Sequence, residues 1–413
     1  MAYFNINTGQ TLSEEDFISL VCGSTYTCCN SNSNVWISDN VAKTEYQWQN
    51  YFNQNNMCSD GNAPVNTVAP AISGTLVVGE TLTCSSGTWT SDTGLIPPYL
   101  YQWKRDGVNI GGATSSTYTL VSEDAGTAIT CQVTATDSDG STNALSNSVA
   151  IYASILDIVP NATGAFGFEL LRGAHYSSPI VRIRRSGDNS ESDFSVGTNG
   201  LLNTTAIQAF CIAGGGTQHG YVVTMYNQSG DATTSNASQT TPSSQPQIVI
   251  SGVIVTENGK ISSTYNGTTQ SLGSTFTATK SQPITYFAIA KVTSTNGGIL
   301  GGSTYASDLA LAKVGATTRA IATASNINFA GSSTSLAYYY ACFNGASSQL
   351  KLNNNTTATG NLGTVQLSNL RIGFNSNYGN MAGCFSRAII YPSSQSANET
   401  TVRTNLNNYY GVY

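Results

Sequence analysis

Nine carboxylates are spread over residues 154–413: Asp157, Glu169, Asp188, Glu191, Asp193, Asp231, Glu257, Asp308 and Glu399. Nucleophilic or acid–base work by paired carboxyls needs two of them within reach, one ionised and one protonated, and no spacing in this set announces such a pair. Asp188 falls in the turn-forming run Ser186-Gly187-Asp188-Asn189. Glu399 follows Ser396 by three positions, the pattern of a capping box in which each side chain satisfies an orphan group at a helix start. His175 and His219 lie in turn-like stretches without an acid or cysteine neighbour, which leaves a nucleophilic triad no framework. Gly214-Gly215-Gly216 precedes neither a Lys-Ser/Thr pair nor an evident helix, so it does not read as a phosphate cradle. Asp137-Ser138-Asp139-Gly140 has the first residues of a calcium loop without the later ligands and reads as a hairpin turn. Cys22, Cys28, Cys29 and Cys58 lack the two C-x2-C pairs of a zinc site. These residues give no reason to expect a cofactor or a metal.

Arginines and tyrosines offer binding chemistry instead. Arg182 and Arg184 alternate with Val181 and Ile183, so on a strand they share one face and Arg185 takes the other. Two guanidinium groups on one face can grip an acidic sugar, or they can pair with Glu191 and Asp193. Tyr338-Tyr339-Tyr340 must alternate across a sheet, so at most two can line a sugar platform, and the alternative is burial in the core.

The elements that would carry these groups are strands. β formers dominate, turn dipeptides recur at short intervals, and strand-like runs stand at 180–185, 247–255 and 284–292. Helical patterning is confined to a few places. The clearest is the C-terminal segment, where Val402, Leu406 and Tyr409 share a face and Gly411 supplies a stop. Shorter helices are expected from Ser13 and from about residue 40 to 51.

Only 38 of the 413 side chains are charged, 16 basic and 22 acidic, while Ser, Thr and Asn make up about a third of the chain. A net charge of −6 leaves no cationic reservoir for counterion release, which argues against a nucleic-acid partner. With 40% hydrophobic residues the chain can bury a core, and no apolar run is long enough to insert in a membrane. The opening MAYFNINTGQ has neither a basic nor an apolar leader region, so no secretory signal is expected. Charge is unevenly placed: residues 1–153 hold 3 bases and 13 acids, and residues 154–413 hold 13 bases and 9 acids.

The chain divides by composition into residues 1–63, 64–153 and 154–413. The first is cysteine-containing, acidic and of small α+β or irregular character. In the second, strand-length runs at 71–78, 81–84, 99–104, 116–121, 128–135 and 146–151 have the spacing of a small sandwich. Cys84, Trp103 and Cys131 stand in the order of an immunoglobulin-type core. With TLTCSSGTW, YQWKRDGVNIGGATSSTYTLVSEDAG and ITCQVTATDSDGS, the segment resembles the bacterial and phage Ig-like domain. That resemblance implies a Cys84–Cys131 disulfide, and Ile129 stands where a tyrosine corner would place Tyr.

In residues 154–413, the stretch 170–189 (LLRGAHYSSPIVRIRRSGDN), residues 206–211 and Tyr226-Asn227-Gln228-Ser229-Gly230 resemble the α-L-arabinofuranosidase B catalytic domain, with family motifs of the form LRxxYSGPxxxVRRSSDN and YDQSG. Residues 369–391 and the final helix resemble the closing strands of a laminin G or concanavalin A-like jelly roll. The fold class implied is mostly β, an Ig-like sandwich followed by a concanavalin A-like jelly roll. Related modules are common in phage tail proteins, and the whole looks like a phage virion protein on the particle surface. On that reading residues 1–63 contact other virion proteins, the Ig-like domain is a spacer, and the subunit is multicopy or homo-oligomeric. The jelly roll binds a host-surface polysaccharide or another subunit, with Arg182, Arg184, Asn227 and Gln228 as ligand-binding candidates. Glycoside hydrolysis is the rival activity; a retaining glycosidase needs two carboxyls about 5 Å apart, and Asn227, at the Asp position of YDQSG, cannot ionise.

Overall fold

The structure, a computed structural model, describes residues 2–5, 11–13, 35–38, 41–44, 63–91, 99–137, 140–197, 200–216, 218–303, 309–322, 325–329, 331–376 and 378–413. The fold is mostly β. It forms two compact units, one built from Met1–Thr75, Thr81–Leu120 and Thr127–Ile151, the other from Leu76–Glu80, Val121–Gly126 and Tyr152–Tyr413. Among the described residues no helix is long and apolar enough to cross a membrane.

The first unit opens with a four-stranded antiparallel sheet, ordered Thr11–Ser13, Ala2–Asn5, Val35–Ser38, Val41–Thr44. Val41–Thr44 therefore corrects the helix expected across residues 40–51: a β-branched residue and a hairpin partner in Val35–Ser38 decide the local state. The helix expected after Ser13, and Cys22, Cys28, Cys29 and Cys58, lie outside the described residues.

Two further sheets in this unit face each other. Thr117–Thr119, Thr81–Cys84 and Ile72–Ser73 form one, and Tyr99–Arg105, Ala128–Thr136 and Ser141–Leu145 form the body of the other. Ala128–Thr136 alternates strictly between buried and half-buried residues, the period of a strand with one covered face. Of the run 71–78 only Ile72–Ser73 is strand, and Ser141–Leu145 is a strand that composition did not single out. Trp103 is fully buried and donates its indole N–H to the Ser115 carbonyl at 2.8 Å. Cys84 and Cys131, one from each sheet, are buried free thiols that donate to the Ser85 and Gln132 carbonyls. The neighbouring Cys84 thiol first, and burial second, push the Cys131 thiol far above its ordinary range. Ile129 fills the core at the tyrosine-corner position.

A consequence is testable with a thiol reagent. Cys84, Cys131, Cys211, Cys342 and Cys384 are all buried, and burial raises Cys211 and Cys384 to about 11. Site-resolved mass spectrometry after iodoacetamide treatment at neutral pH should find these five unmodified in the native protein and modified in denaturant. Rapid native labelling at any of them would contradict the packing.

The second unit is a jelly-roll-like β-sandwich. Most of its described strands from Gly164–Gly167 to Ala382–Tyr391 form one continuous hydrogen-bonded sheet that closes on itself, while Thr256–Glu257 with Lys260–Ile261 and Phe374–Asn375 with Gly379–Asn380 form two small hairpins apart from it. At its centre Ile284–Val292 lies antiparallel between Ala337–Phe343 and Ala382–Tyr391. These strands read as nearly unbroken apolar runs because both of their faces are covered. Tyr286, Ala288, Tyr339, Ala341, Phe343, Ala388 and Ile390 point into the sandwich core. Phe287, Ile289, Tyr338, Tyr340, Ile389 and Tyr391 point outward, beneath the C-terminal helix. All three tyrosines at 338–340 are thus core residues, and none forms a sugar platform.

That helix, Glu399–Tyr410, buries Val402, Leu406 and Tyr410 and ends at Gly411 in the left-handed conformation, φ 59°. The expected stop is present and Val402 and Leu406 share the covered face, but its buried tyrosine is Tyr410 while Tyr409 is half-buried, and the capping box is absent. Asn398 occupies the N-cap with no side-chain cap bond, and the Glu399 carboxylate turns inward to Tyr338, Lys351 and Arg403. One other expectation changes, and one helix was not foreseen. Residues 247–255 form a hairpin, Gln247–Ile250 and Val253–Ile254, turning at Ser251-Gly252 with positive φ at both. Thr204–Ala213 is a helix capped by Asn203, whose Oδ1 accepts the Ala206 N–H at 3.1 Å.

Candidate functional site

Residues 227–231 follow the strand Gly220–Met225 and are fastened from below by amide side chains. Asn227 Oδ1 accepts the N–H groups of Ala165 and Ser229 at 3.0 and 3.1 Å, while its Nδ2 donates to the Asp231 and Thr234 carbonyls. Gln228 is wholly buried: Oε1 accepts the Leu171 N–H at 2.8 Å and Nε2 donates to the Glu169 carbonyl at 3.1 Å. These two motif residues hold the loop from within. A carboxylate at 227 would supply the acceptor for Ala165 and Ser229 but no donor for the two carbonyls, so the amide matches its surroundings.

Above this scaffold lies an open cavity of about 520 Å³ whose wall carries Asp157, Asn161, Arg172, Ser229, Gly230 and Asp231. Arg172 crosses the loop and donates from Nη1 to the Ser229 carbonyl at 2.9 Å. Gly230 makes this possible: it sits at φ 78°, and a Cβ there would fall 1.6 Å from Arg172 Nη1. Asp157 accepts the Gly173 N–H with both carboxylate oxygens, at 3.2 and 2.9 Å. Asp231 accepts from Thr163 Oγ1, Lys280 Nζ, and the Thr233 N–H and hydroxyl.

The two carboxyls are driven apart. Burial pushes the Asp157 pKa up, against opposing bonds from Gly173 and Ser154. Burial also pushes on Asp231, but the bonds from Thr163, Thr233 and Lys280 outweigh it and hold that carboxyl well below the usual range. Their pH signatures have opposite sign. Asp231 contributes stability that is present above its unfolded value and lost as pH falls through its depressed folded value. Asp157 favours the fold most below its unfolded value, and that contribution is lost as pH rises through its raised folded value. Carboxyl-carbon NMR titration should place the Asp157 midpoint above 3.8 and that of Asp231 below it; the reverse order would contradict the geometry.

The other candidates lie elsewhere and are already engaged. Arg182 forms a bidentate ion pair with Asp193, both contacts 2.8 Å, and Tyr226 donates its hydroxyl to the same carboxylate. Arg184 is buried, bonded to Gln245, Asn189 and the Pro242 carbonyl, and stacked 4.5 Å from the centre of the Tyr221 ring. Most of the remaining acids are spent on structure. Glu169 holds Arg387 and Tyr410, Glu257 holds Lys291, and Asp188 holds Arg185; Asp308 lies outside the described residues. Among the described residues no cluster of three or more His, Cys, Asp or Glu side chains has the arrangement of a metal site. Sequence reasoning counted Asp157 and Asp231 and quoted Arg172 within a motif, yet did not join them, because no short spacing links three residues whose contact is made only by the fold.

The architecture defines a jelly-roll-like β-sandwich protein. No protein-family model matches the chain, and no curated protein matches it in sequence. Among solved structures it is similar to a GH54 α-L-arabinofuranosidase soaked with a cyclic sulfate inhibitor, at 13% identity and a TM-score of 0.46, over 59% of this chain and 62% of that one. It is also similar to domains LG4-5 of the mouse laminin α1 chain (10% identity, TM-score 0.26, 79% and 80% of the two chains). A third likeness is to the carbohydrate-binding module CBM66 from Bacillus subtilis (13%, 0.18, 33% and 85%). The chain thus spans less than two thirds of the arabinofuranosidase's length. At these identities and scores no residue role, activity or ligand passes from those proteins to this one.

Proposed function

We propose that the chain is a glycan-binding protein of a phage particle surface, and that its second unit takes a host-surface polysaccharide in the basin around Arg172. The observation that carries this reading is the basin itself. It is an open, polar cavity of about 520 Å³ in which a fixed guanidinium, an ionised carboxylate and a carboxyl of raised pKa surround hydroxyl and backbone groups. Vicinal sugar hydroxyls both donate and accept, and such a wall offers both partners. The wider surface, rich in Ser, Thr and Asn and poor in charge, suits display in media of varying salt.

On this reading the Cys84–Trp103–Cys131 sandwich, which supports an Ig-like assignment, is a spacer, and residues 1–63 attach the protein to other virion subunits in multiple copies. Deleting residues 1–63 and assaying purified particles for the protein tests the attachment; undiminished incorporation would sink that role. A second reading, hydrolysis of the bound glycan, has one observation in its favour, that Asp157 and Asp231 line the same cavity. It requires release of new reducing ends, and release that survived Asp157→Asn would remove that residue from the chemistry.

A further inference from the structure

Four strands of the second unit, Ala237–Ser238, Leu272–Lys280, Leu367–Ile372 and Asn296–Gly301, carry one register row: Ser238 pairs with Gly273, Gly273 with Arg371, and Arg371 with Gly301. Directly paired residues share a face of the sheet. Their neighbours Leu272, Ile372 and Leu300 are buried in the sandwich core, so the row faces away from it. The Arg371 guanidinium lies across Gly273, where an added Cβ would stand 3.4 Å from both Cζ and Nη1. Gly273 has no left-handed φ to satisfy, so the role of its missing side chain is this close approach. Around the guanidinium opens a cavity of about 360 Å³, whose wall also carries Ser238, Gln239, Thr240, Ser303 and Asn369.

Arg371 is half-buried, and among the described residues no oxygen accepts a hydrogen bond from it. The other arginines of this unit each donate to an acceptor. The wall holds no carboxylate, and its amides are spent within the fold. Gln239 donates to the Ser271 carbonyl and accepts the Thr241 N–H, while Asn369 accepts the Ser303 N–H and donates to the Ser368 hydroxyl. The donors left facing the cavity are the guanidinium and the hydroxyls of Thr240 and Ser303.

We propose that this trough is a second glycan site, in which Arg371 takes the singly charged oxyanion of an acidic sugar, a carboxylate or a sulfate ester. A cation laid against the sheet without a counter-ion calls for one negative charge, and a neutral sugar would leave it unmatched. A phosphate monoester, with about −1.5 to −2 charges at neutral pH, would overshoot it. The guanidinium fork presents paired N–H groups that match two oxygens of either group. The cavity volume falls within the roughly 300–1,000 Å³ of small-ligand sites, which leaves room for the ring that bears the anion.

The inference rests on the glycan reading for the sugar, but not on the Arg172 basin. Saturation-transfer NMR on the full chain tests it, with methyl β-D-glucuronide and glucose 6-sulfate as acidic probes and methyl β-D-glucopyranoside as the neutral one. At least one acidic probe should receive saturation several-fold more strongly than the neutral glycoside, and raised salt should weaken it. The stronger of the two identifies the oxyanion as carboxylate or sulfate. Arg371→Gln, which keeps the length and removes the charge, should abolish the preference with the Tm unchanged, because Arg371 holds no partner in the fold. Gly273→Val, which places a side chain where the guanidinium lies, should reduce it several-fold, and Arg172→Ala should leave it intact. Silence from both acidic probes, equal transfer to the neutral glycoside, or a preference undiminished in Arg371→Gln would each overturn the site. A preference that meets these expectations while Arg172→Ala leaves polysaccharide binding untouched would support this site and overturn the basin.

Discussion

Glu169→Ala is expected to lower the unfolding free energy of the second unit by about 3–5 kcal/mol, the cost of stranding a buried charge. Glu169 lies just past the strand Gly164–Gly167, Arg387 on Ala382–Tyr391 and Tyr410 at the end of the C-terminal helix, so one carboxylate ties three elements together. With Glu169 removed, Arg387 loses its counter-ion in a site almost closed to water, and the Tyr410 hydroxyl loses both of its acceptors. Most of this cost arises from leaving the partner uncompensated, so Glu169→Leu combined with Arg387→Met should recover a large part of the loss. Urea unfolding followed by tyrosine fluorescence reads the difference. A change below about 1 kcal/mol, the range of an exposed pair, would show that the cluster is not dry.

Gly230→Ala is expected to cost about 2–4 kcal/mol and to disable the basin. Two effects add. A left-handed conformation costs a residue with a Cβ about 1–2 kcal/mol, and Gly230 is held at φ 78°. The methyl group also occupies the place of Arg172 Nη1, which forces the guanidinium off the Ser229 carbonyl. A hydrogen bond to a charged group contributes about 1.5–3 kcal/mol, although a swung-out arginine recovers part of that from water. Differential scanning calorimetry measures the first effect and polysaccharide binding the second. A variant with unchanged stability and unchanged binding would show that Arg172 is not fixed by this loop.

The general architecture was legible in the sequence because its signals are local. Alternation and turn residues mark strands, and the period of Val402 and Leu406 together with Gly411 marks the last helix. The run 284–292 matches its strand to the residue. Errors arose where a local pattern had a competing use. Ser396 and Glu399 have capping-box spacing, but the core beneath the helix offers Glu399 a tyrosine, a lysine and an arginine, and those partners win. Residues 247–255 are apolar enough for one strand, but Ser251-Gly252 can turn. The helix Thr204–Ala213 begins on two threonines, carries no charge and sets β-branched Thr204, Thr205, Ile207 and Ile212 against its three alanines, so its helical signal is weak and it lacks an amphipathic contrast.

The site was less legible, for a physical reason. Asp157, Arg172 and Asp231 come from a short helix, a turn and a loop, and their association depends on Gln228 and Asn227 bonding back to Leu171 and Ala165. Side chains singled out by type, Arg182 and Arg184, are held by Asp193 and by Gln245 with Tyr221, partners that the alternation of a strand cannot reveal beyond Asp193 itself.

The most direct measurement is equilibrium binding of the intact chain to purified surface polysaccharide of the host, with reducing ends counted in the same samples, for the wild type and Arg172→Ala. Saturable binding without new reducing ends, weakened about ten-fold (about 1.4 kcal/mol) by the substitution, is the predicted result. Absence of binding, or an affinity untouched by Arg172→Ala, would contradict the account.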